Sequence, residues 1–303
     1  MSPPEAPAGY QALRYEAGAV WLPRDFVVVD GPDALSYLQG QLSQDVGLDN
    51  GHSTWALLLQ PQGKLVAFLR VLRLSESRFV LETDAGFGPT VAERLTRFKL
   101  RVKADVGPLE GWRCLAVRGP RAHEAVAAGG AVGTVVVADW PGLPGADLVG
   151  EAPEPPEGVP LCDLEAYEAV RIEAGIPVMG REMDESTIPA EAGVVEQSVS
   201  FTKGCYTGQE LVARIDSRGG NVPRKLRGVV VSGGSDLPPP AATVQAGDGK
   251  DVGRLTSVAW SPQLGAPVAL AYVRRAVSPP AEVTLVWEGG SAPARVEPLP
   301  LVP

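Results

Sequence analysis

The residues best suited to chemistry lie between Lys203 and Glu210, in the run Lys-Gly-Cys-Tyr-Thr-Gly-Gln-Glu. Thr207 and Glu210 have the spacing of a capping box, in which each side chain satisfies a free backbone donor at a helix start. Leu211-Val212-Ala213-Arg214-Ile215 can carry such a helix onward. Cys205 would then stand near the positive end of the helix dipole, two residues from Lys203, and both features favour thiolate over thiol. Its chemistry could be transient sulfur or metal ligation, or redox sensing. The competing reading is a small buried hydrophobe, the usual fate of a free cysteine. Gly204 and Gly208 permit tight backbone geometry around it. Tyr206 can stack on a planar ligand or simply pack.

Two other groups bear on a site. Glu173, in Arg171-Ile172-Glu173-Ala174-Gly175, is a carboxylate late in an expected helix, close to the negative end of its dipole. A locally costly choice of this kind often marks function; the alternative is a surface glutamate paired with Arg171. The segment from Val199 to Gly228, which includes Arg214, holds six basic and two acidic residues on a chain of net charge −9. Such a run is either a solvated face or a guide for an anion, with a reach limited by screening to roughly 8 Å at physiological salt.

These residues must be positioned by a chain of 303 residues, long enough for two or three small domains. A hydrophobic content of 45% indicates a globular protein, and only 6% aromatic residues leaves most of the interior to aliphatic side chains and alanine. A pI near 4.9 argues against general nucleic-acid binding. No stretch of about 20 apolar residues is present to span a membrane. The N-terminal Met1-Ser2-Pro3-Pro4-Glu5 lacks a secretory signal, so a cytoplasmic location is expected. Cys114, Cys162 and Cys205 are scattered and fit a reducing compartment. With only His52 and His123 and no Cys-x-x-Cys, neither a zinc site nor a four-cysteine cluster is expected.

The pattern along the chain predicts an α+β fold with a β appendix. Residues 1–23 read as a loosely attached arm with a short strand near Gly18. Strands are expected at Phe26–Val29, Ser53–Leu59, Lys64–Leu74, Arg78–Thr83, 113–118 and 132–138. A helix opened by Gly31-Pro32 would bury Leu35, Leu38 and Leu42, and one from Pro89 to Lys99 would bury Val91, Leu95 and Phe98. Pro and Gly crowd 139–160, which reads as a loop or spacer. A helix should then run from Asp163 to Ala174 and stop at Gly175. From Leu226 onward short β runs alternate with turns, as in a small barrel. Residues 1–224 and 225–303 are the two expected regions, the first built of two interleaved α+β subdomains, and nothing demands more than a monomer.

Three sets of residues together resemble the YgfZ family of folate-binding proteins, a branch of the aminomethyltransferase superfamily tied to iron–sulfur protein assembly and repair. The first is Val29-Asp30-Gly31-Pro32-Asp33-Ala34 with Leu38 through Val46, followed by Gln62-Gly63-Lys64. The second is Arg171 through Pro177, then Gly180 and Ile188-Pro189-Ala190-Glu191-Ala192. The third, and most specific, is Lys203 through Glu210. The resemblance implies three domains around a central opening that holds tetrahydrofolate, and a C-terminal barrel. It assigns Glu173 to recognition of pterin N–H donors, with Arg171, Tyr206 and Arg214 as further folate-binding candidates. Cys205 and Lys203 become the candidate reactive pair, with Cys205 expected to open into a pterin-sized chamber. Glu191 is taken as a structural ion-pair partner. One departure from the glycine-cleavage T-protein is plain: Gly63-Lys64-Leu65-Val66-Ala67-Phe68 has no carboxylate where the T-protein carries its catalytic aspartate, and one-carbon transfer to folate needs an acid/base group there. The implied function is therefore a tetrahydrofolate-binding accessory to iron–sulfur proteins or their assembly factors. An active one-carbon transferase and a docking scaffold are the alternatives.

Overall fold

A computed structural model describes residues 4–303, and Met1–Pro3 of the expected arm lie outside the described residues. The chain opens with α1 (Tyr10–Tyr15), β1 (Gly18–Leu22) and β2 (Arg24–Asp30), then α2 (Ala34–Gln41). A meander follows: β3 (Ser53–Leu59), β4 (Leu65–Arg73) and β5 (Arg78–Asp84), then α3 (Gly88–Arg97) and β6 (Asp105–Pro108). These strands form a five-stranded antiparallel sheet in the order β3-β4-β5-β2-β6. Ala56-Leu57-Leu58-Leu59 is a continuous apolar run because β3 is covered on both faces. Leu58 packs with Leu69, Leu38 and Leu95 under α2 and α3. Leu57 and Leu59 point the other way, onto Met179, Met183 and Val212.

A second sheet, ordered β1-β7-β9-β8, joins β1 to β7 (Arg113–Arg118), β8 (Val132–Val137) and β9 (Gly145–Glu154), with α4 (Ala122–Ala127) between β7 and β8. The long α5 (Leu164–Ala174) lies between this sheet and the C-terminal domain. Its alanines at 166, 169 and 174 let the sheet approach closely, while Ile172 faces the barrel residues Leu226, Leu270 and Tyr272. Gly175 ends it at φ 78°, in the left-handed region. Two short turns, α6 (Pro189–Ala192) and α7 (Val195–Ser198), precede α8 (Gln209–Ser217). A closed barrel completes the chain: β10 (Arg224–Val231), β11 (Thr243–Gln245), β12 (Asp251–Ser261), β13 (Ala266–Arg274), β14 (Ala281–Trp287) and β15 (Gly290–Glu297), in the order β10-β13-β12-β11-β14-β15. The mixed α+β body with a C-terminal barrel agrees with the sequence expectation.

Several local expectations need correction. The 139–160 stretch is not a spacer, because β9 runs through it in the middle of the second sheet. Its buried apolar residues Ala146, Leu148 and Val149 are interrupted by Asp147 and flanked by Gly and Pro, which hides the strand in the sequence. From Tyr10 onward the arm is integrated: Tyr10 and Leu13 are buried against Tyr167 and Val170 of α5. The first long helix starts after Asp33, so Pro32 precedes it rather than occupying its first turn. Phe98 lies just past the end of α3 and is exposed, with the Arg94 guanidinium 3.7 Å from its ring centroid. The barrel strands β11 and β15 are additional; Pro293 together with Gly290 and Ser291 weakens the β signal of β15.

Candidate functional site

The Lys203–Glu210 segment is held at two points. Lys203 Nζ donates to three backbone carbonyls, Gln39 at 2.9 Å, Leu42 at 2.8 Å and Gln44 at 2.9 Å. All three ammonium hydrogens are thereby committed to the C-terminal turn of α2 and the loop after it. Burial pulls Lys203 down to about 8, and nearby Asp45 acts in the opposite direction. At the other end Gly208 takes φ 83°, and a Cβ there would meet Gln60 O at 2.5 Å and Leu59 Cβ at 2.8 Å. Gly63, at φ 78°, faces it from the turn between β3 and β4, where a Cβ would meet Leu211 Cβ at 2.5 Å. Two motifs well separated in sequence, Gln62-Gly63-Lys64 and the Cys205 run, therefore touch backbone to backbone, and only glycine permits that approach.

The expected capping box does not form. Gly208 is the residue preceding α8, in a left-handed conformation, and no side chain caps the helix. Glu210 instead pairs with Arg214 one turn along the exposed face. Cys205 is exposed. Tyr206 is half-buried against the Leu57–Val212 cluster, its ring centroid 5.5 Å from Lys203 Nζ, and burial pushes its hydroxyl up to about 12.

Glu173 is fully buried. Its Oε1 accepts from the Tyr10 hydroxyl at 2.7 Å and from the Ser261 hydroxyl. Its Oε2 has no hydrogen-bond partner, and the nearest cation is Arg14 Nε at 4.0 Å. Burial raises the Glu173 carboxyl, with the Ser261 and Tyr10 hydrogen bonds and the Arg14 charge opposing it. Arg171 is not its partner. The Arg171 guanidinium donates to Glu168 at 2.9 and 3.1 Å, to Glu182 at 3.2 Å and to the Ser257 hydroxyl at 2.9 Å. That network ties α5 to barrel strand β12.

A cavity of about 600 Å3 lies where the second sheet, the α6–α7 segment and the barrel meet. Ala174 and Gly175, directly after Glu173, form part of its wall, as do Trp140, Glu191, Glu196 and Pro298–Pro300. Lys225 and Arg227 reach it from β10. A smaller, mostly apolar cavity of about 360 Å3 adjoins it and shares Ala190, Gly193, Glu196 and Lys225. Cys205 lines neither, contrary to the expectation that it opens into a ligand-sized chamber. The anchors at Lys203 and Gly208 fix its segment to residues 39–44 and to the 60–63 turn, and leave the thiol exposed.

Glu191, 5% exposed, accepts from Arg224 Nε at 3.0 Å, as its expected ion-pair role requires. Sequence reasoning missed the surroundings of Glu173: Tyr10, Arg14 and Ser261 carry no local signal, and two of these contacts cross 163 and 88 residues. It also missed a buried ionic cluster. Arg70 donates to Glu82 and, at 2.7 Å, to Asp147; Arg118 reaches Asp147 at 2.6 Å; Arg24 pairs with Asp84. This cluster joins β4 and β5 of the first sheet to β7 and β9 of the second. Glu82, Cys114 and Asp147 come within 4.8 Å of one another, but three guanidiniums already neutralise the carboxylates there, which disfavours a cation.

Comparison with known proteins agrees with this architecture. Residues 25–131 match the GCVT N-terminal domain, and residues 224–303 match the glycine cleavage T-protein C-terminal barrel domain. The glycine cleavage system aminomethyltransferase T from Bartonella henselae superposes with a TM-score of 0.81 at 23% identity, over 97% of this chain and 88% of that one. The chain thus has the aminomethyltransferase fold. An aminomethyltransferase from Streptomyces coelicolor is 27% identical over 84% of this chain and 77% of its own length. The tRNA-modifying protein YgfZ from Edwardsiella ictaluri is 33% identical over 66% of each chain. The chain belongs to the YgfZ family. Among the described residues no helix is long and apolar enough to cross a membrane.

Proposed function

We propose that the protein binds tetrahydrofolate in the 600 Å3 cavity and acts as an accessory in maturation or repair of iron–sulfur proteins, with Cys205 as its reactive group. The observation that carries the folate reading is Glu173 Oε2, a carboxylate oxygen buried without a hydrogen-bond partner, on the residue that directly precedes Ala174 and Gly175 of the cavity lining, although Glu173 itself does not line the cavity. A buried acceptor left unpaired costs roughly 1–3 kcal/mol, and the amino and ring N–H groups of a pterin are the donors it lacks. Lys225 and Arg227 supply the positive charge suited to the glutamate end of such a ligand, and neither has a carboxylate within ion-pair distance among the described residues. The ligand fits the polar groups present. Tyr10 and Ser261 would orient the glutamate, and the hydrogen bonds they donate to Oε1 leave Oε2 free.

Cys205 supports the second half of the reading through its exposure and its two backbone anchors, which present the thiol to a partner rather than to the cavity. Lys203 then acts by fixing the segment. Arg171 holds α5, and hence Glu173, in place. Tyr206 and Arg214 stay candidates for contacts made once ligand or partner is present. The absence of a carboxylate in Gly63–Phe68 weighs against one-carbon transfer. Cys205→Ala should leave folate affinity intact and abolish rescue of iron–sulfur enzyme activity in cells lacking the protein. Full rescue would remove the cysteine from the mechanism. Folate-dependent formaldehyde release or capture by purified protein, persisting in Cys205→Ser, would favour the transferase instead.

A further inference from the structure

A second polar concavity, of about 290 Å3, lies on the outer wall of the barrel. It is built by strand register. Arg224 of β10 stands directly opposite Arg274 of β13, Tyr272 of β13 opposite Arg254 of β12, and Arg254 opposite Thr243 of β11. These positions share the face of Leu226 and Tyr272, which is the outside of the barrel, whereas Val229, Ala271 and Val273 fill its interior. Three guanidiniums and a hydroxyl therefore line one shallow bowl. Like charges directly opposite on neighbouring strands are destabilising, so this arrangement needs a compensating anion.

The counter-charges present do not supply it. Arg224 uses only Nε, which donates to Glu191 at 3.0 Å, and its guanidinium carbon lies 4.5 Å from the Tyr272 ring centroid. It is thus fixed from two sides with both terminal nitrogens unengaged among the described residues. Arg254 and Arg274 are exposed and have no carboxylate within ion-pair distance among those residues. Asp251 also lines the bowl; one of its oxygens accepts from Gln245 at 2.9 Å, and it forms no ion pair with the arginines, so its single charge offsets three guanidiniums only in part.

We propose that this bowl binds the phosphoryl group of a small anionic molecule, at a site separate from the folate cavity. Planar guanidinium forks match the oxygens of a phosphate two at a time. Three of them suit a doubly charged phosphoryl group better than a single carboxylate. Tyr272 is covered by Arg224 and 7% exposed, so it offers no open ring for a base to stack on. That points away from single-stranded nucleic acid, which uses an extended groove with stacking platforms.

The test is calorimetric titration of inorganic diphosphate into the full chain, with ionic strength held constant by potassium chloride. One saturable site is expected, weakened at least tenfold in the Arg254→Gln/Arg274→Gln double variant. No saturable binding, or equal binding by that variant, would overturn the proposal. Tighter binding of a short single-stranded RNA to the same arginines would replace the small-molecule ligand and overturn it as well. A melting series gives an independent readout. Arg274→Gln alone should melt higher than wild type without diphosphate, because the cross-strand repulsion is relieved, and diphosphate should raise the wild-type melting temperature only. A variant that melts no higher, with no diphosphate shift in wild type, would also refute the site.

Discussion

Asp147→Asn probes the joint between the two sheets. Asp147 is 1% exposed on β9, forms an ion pair with Arg118 of its own sheet at 2.6 Å and accepts a hydrogen bond from Arg70 of the other sheet at 2.7 Å. Burial works to raise its carboxyl, but Arg118 and Arg70 outweigh burial and hold it at about 2. Relative to an unfolded value near 3.8, at about 1.4 kcal/mol per pH unit, the pairing contributes about 2.5 kcal/mol at neutral pH. The cost of leaving buried arginines short of a counter-charge gives a similar figure, about 3 kcal/mol, the low end for a broken buried pair, because Arg70 keeps Glu82. A depressed carboxyl contributes stability that is complete above the unfolded value and disappears as pH falls through the folded one. Wild type should therefore lose about 2 kcal/mol from this group between pH 4 and pH 2. Asn mimics the neutral acid in shape, so the variant should be less stable by 2–3 kcal/mol at pH 7 and show a flatter profile between pH 4 and 2. Urea unfolding, followed by tryptophan fluorescence at a series of pH values, measures both. Equal stability of variant and wild type at pH 7, or parallel slopes below pH 4, would refute the ionic joint.

Other consequences follow from the same contacts. Gly208→Ala should destabilise the protein by more than 2 kcal/mol in urea unfolding, since a left-handed residue gains a Cβ only 2.5 Å from Gln60 O; a loss under 0.5 kcal/mol would mean the backbone contact is slack. Lys203→Met removes the donor to three carbonyls, costs roughly 1–3 kcal/mol, and should speed hydrogen exchange at residues 39–46 while sparing the barrel; uniform protection would contradict the anchoring role. Native alkylation with iodoacetamide should modify exposed Cys205 first and leave Cys114, which is 1% exposed and whose thiol burial raises well above its ordinary value, unmodified until unfolding; the reverse order would rule out the exposure described.

What the sequence makes legible is whatever is local. The meander β3–β5 follows from runs of branched and leucine residues broken by Gln60–Gly63, and the end of α5 is written in Gly175. The barrel is legible as a change of texture after Leu226. What fails is equally physical. β9 is masked because glycine and proline signal turns even where a sheet takes the intervening residues. The capping box fails because the approach of Gly208 to Gln60 and Gly63 dictates the backbone at that helix start, and tertiary packing overrides a local capping preference. At the site, the motifs mark Glu173, Lys203 and Cys205 as unusual but not what they touch. Nothing near Lys203 in sequence announces carbonyls some 160 residues away, and nothing near Glu173 announces Tyr10 or Ser261. The family resemblance implied a chamber shared by Cys205 and Glu173; in the fold neither lines the cavity, the thiol being exposed and the carboxylate fully buried.

The most direct measurement is calorimetric titration of tetrahydrofolate into wild type and Glu173→Gln under anaerobic conditions. Saturable one-to-one binding is predicted, with the variant weaker by about 1.5–3 kcal/mol, the range for losing a charge-assisted hydrogen bond. No binding to wild type, or equal affinity in the variant, would contradict the assignment of the orphaned Glu173 oxygen to a folate.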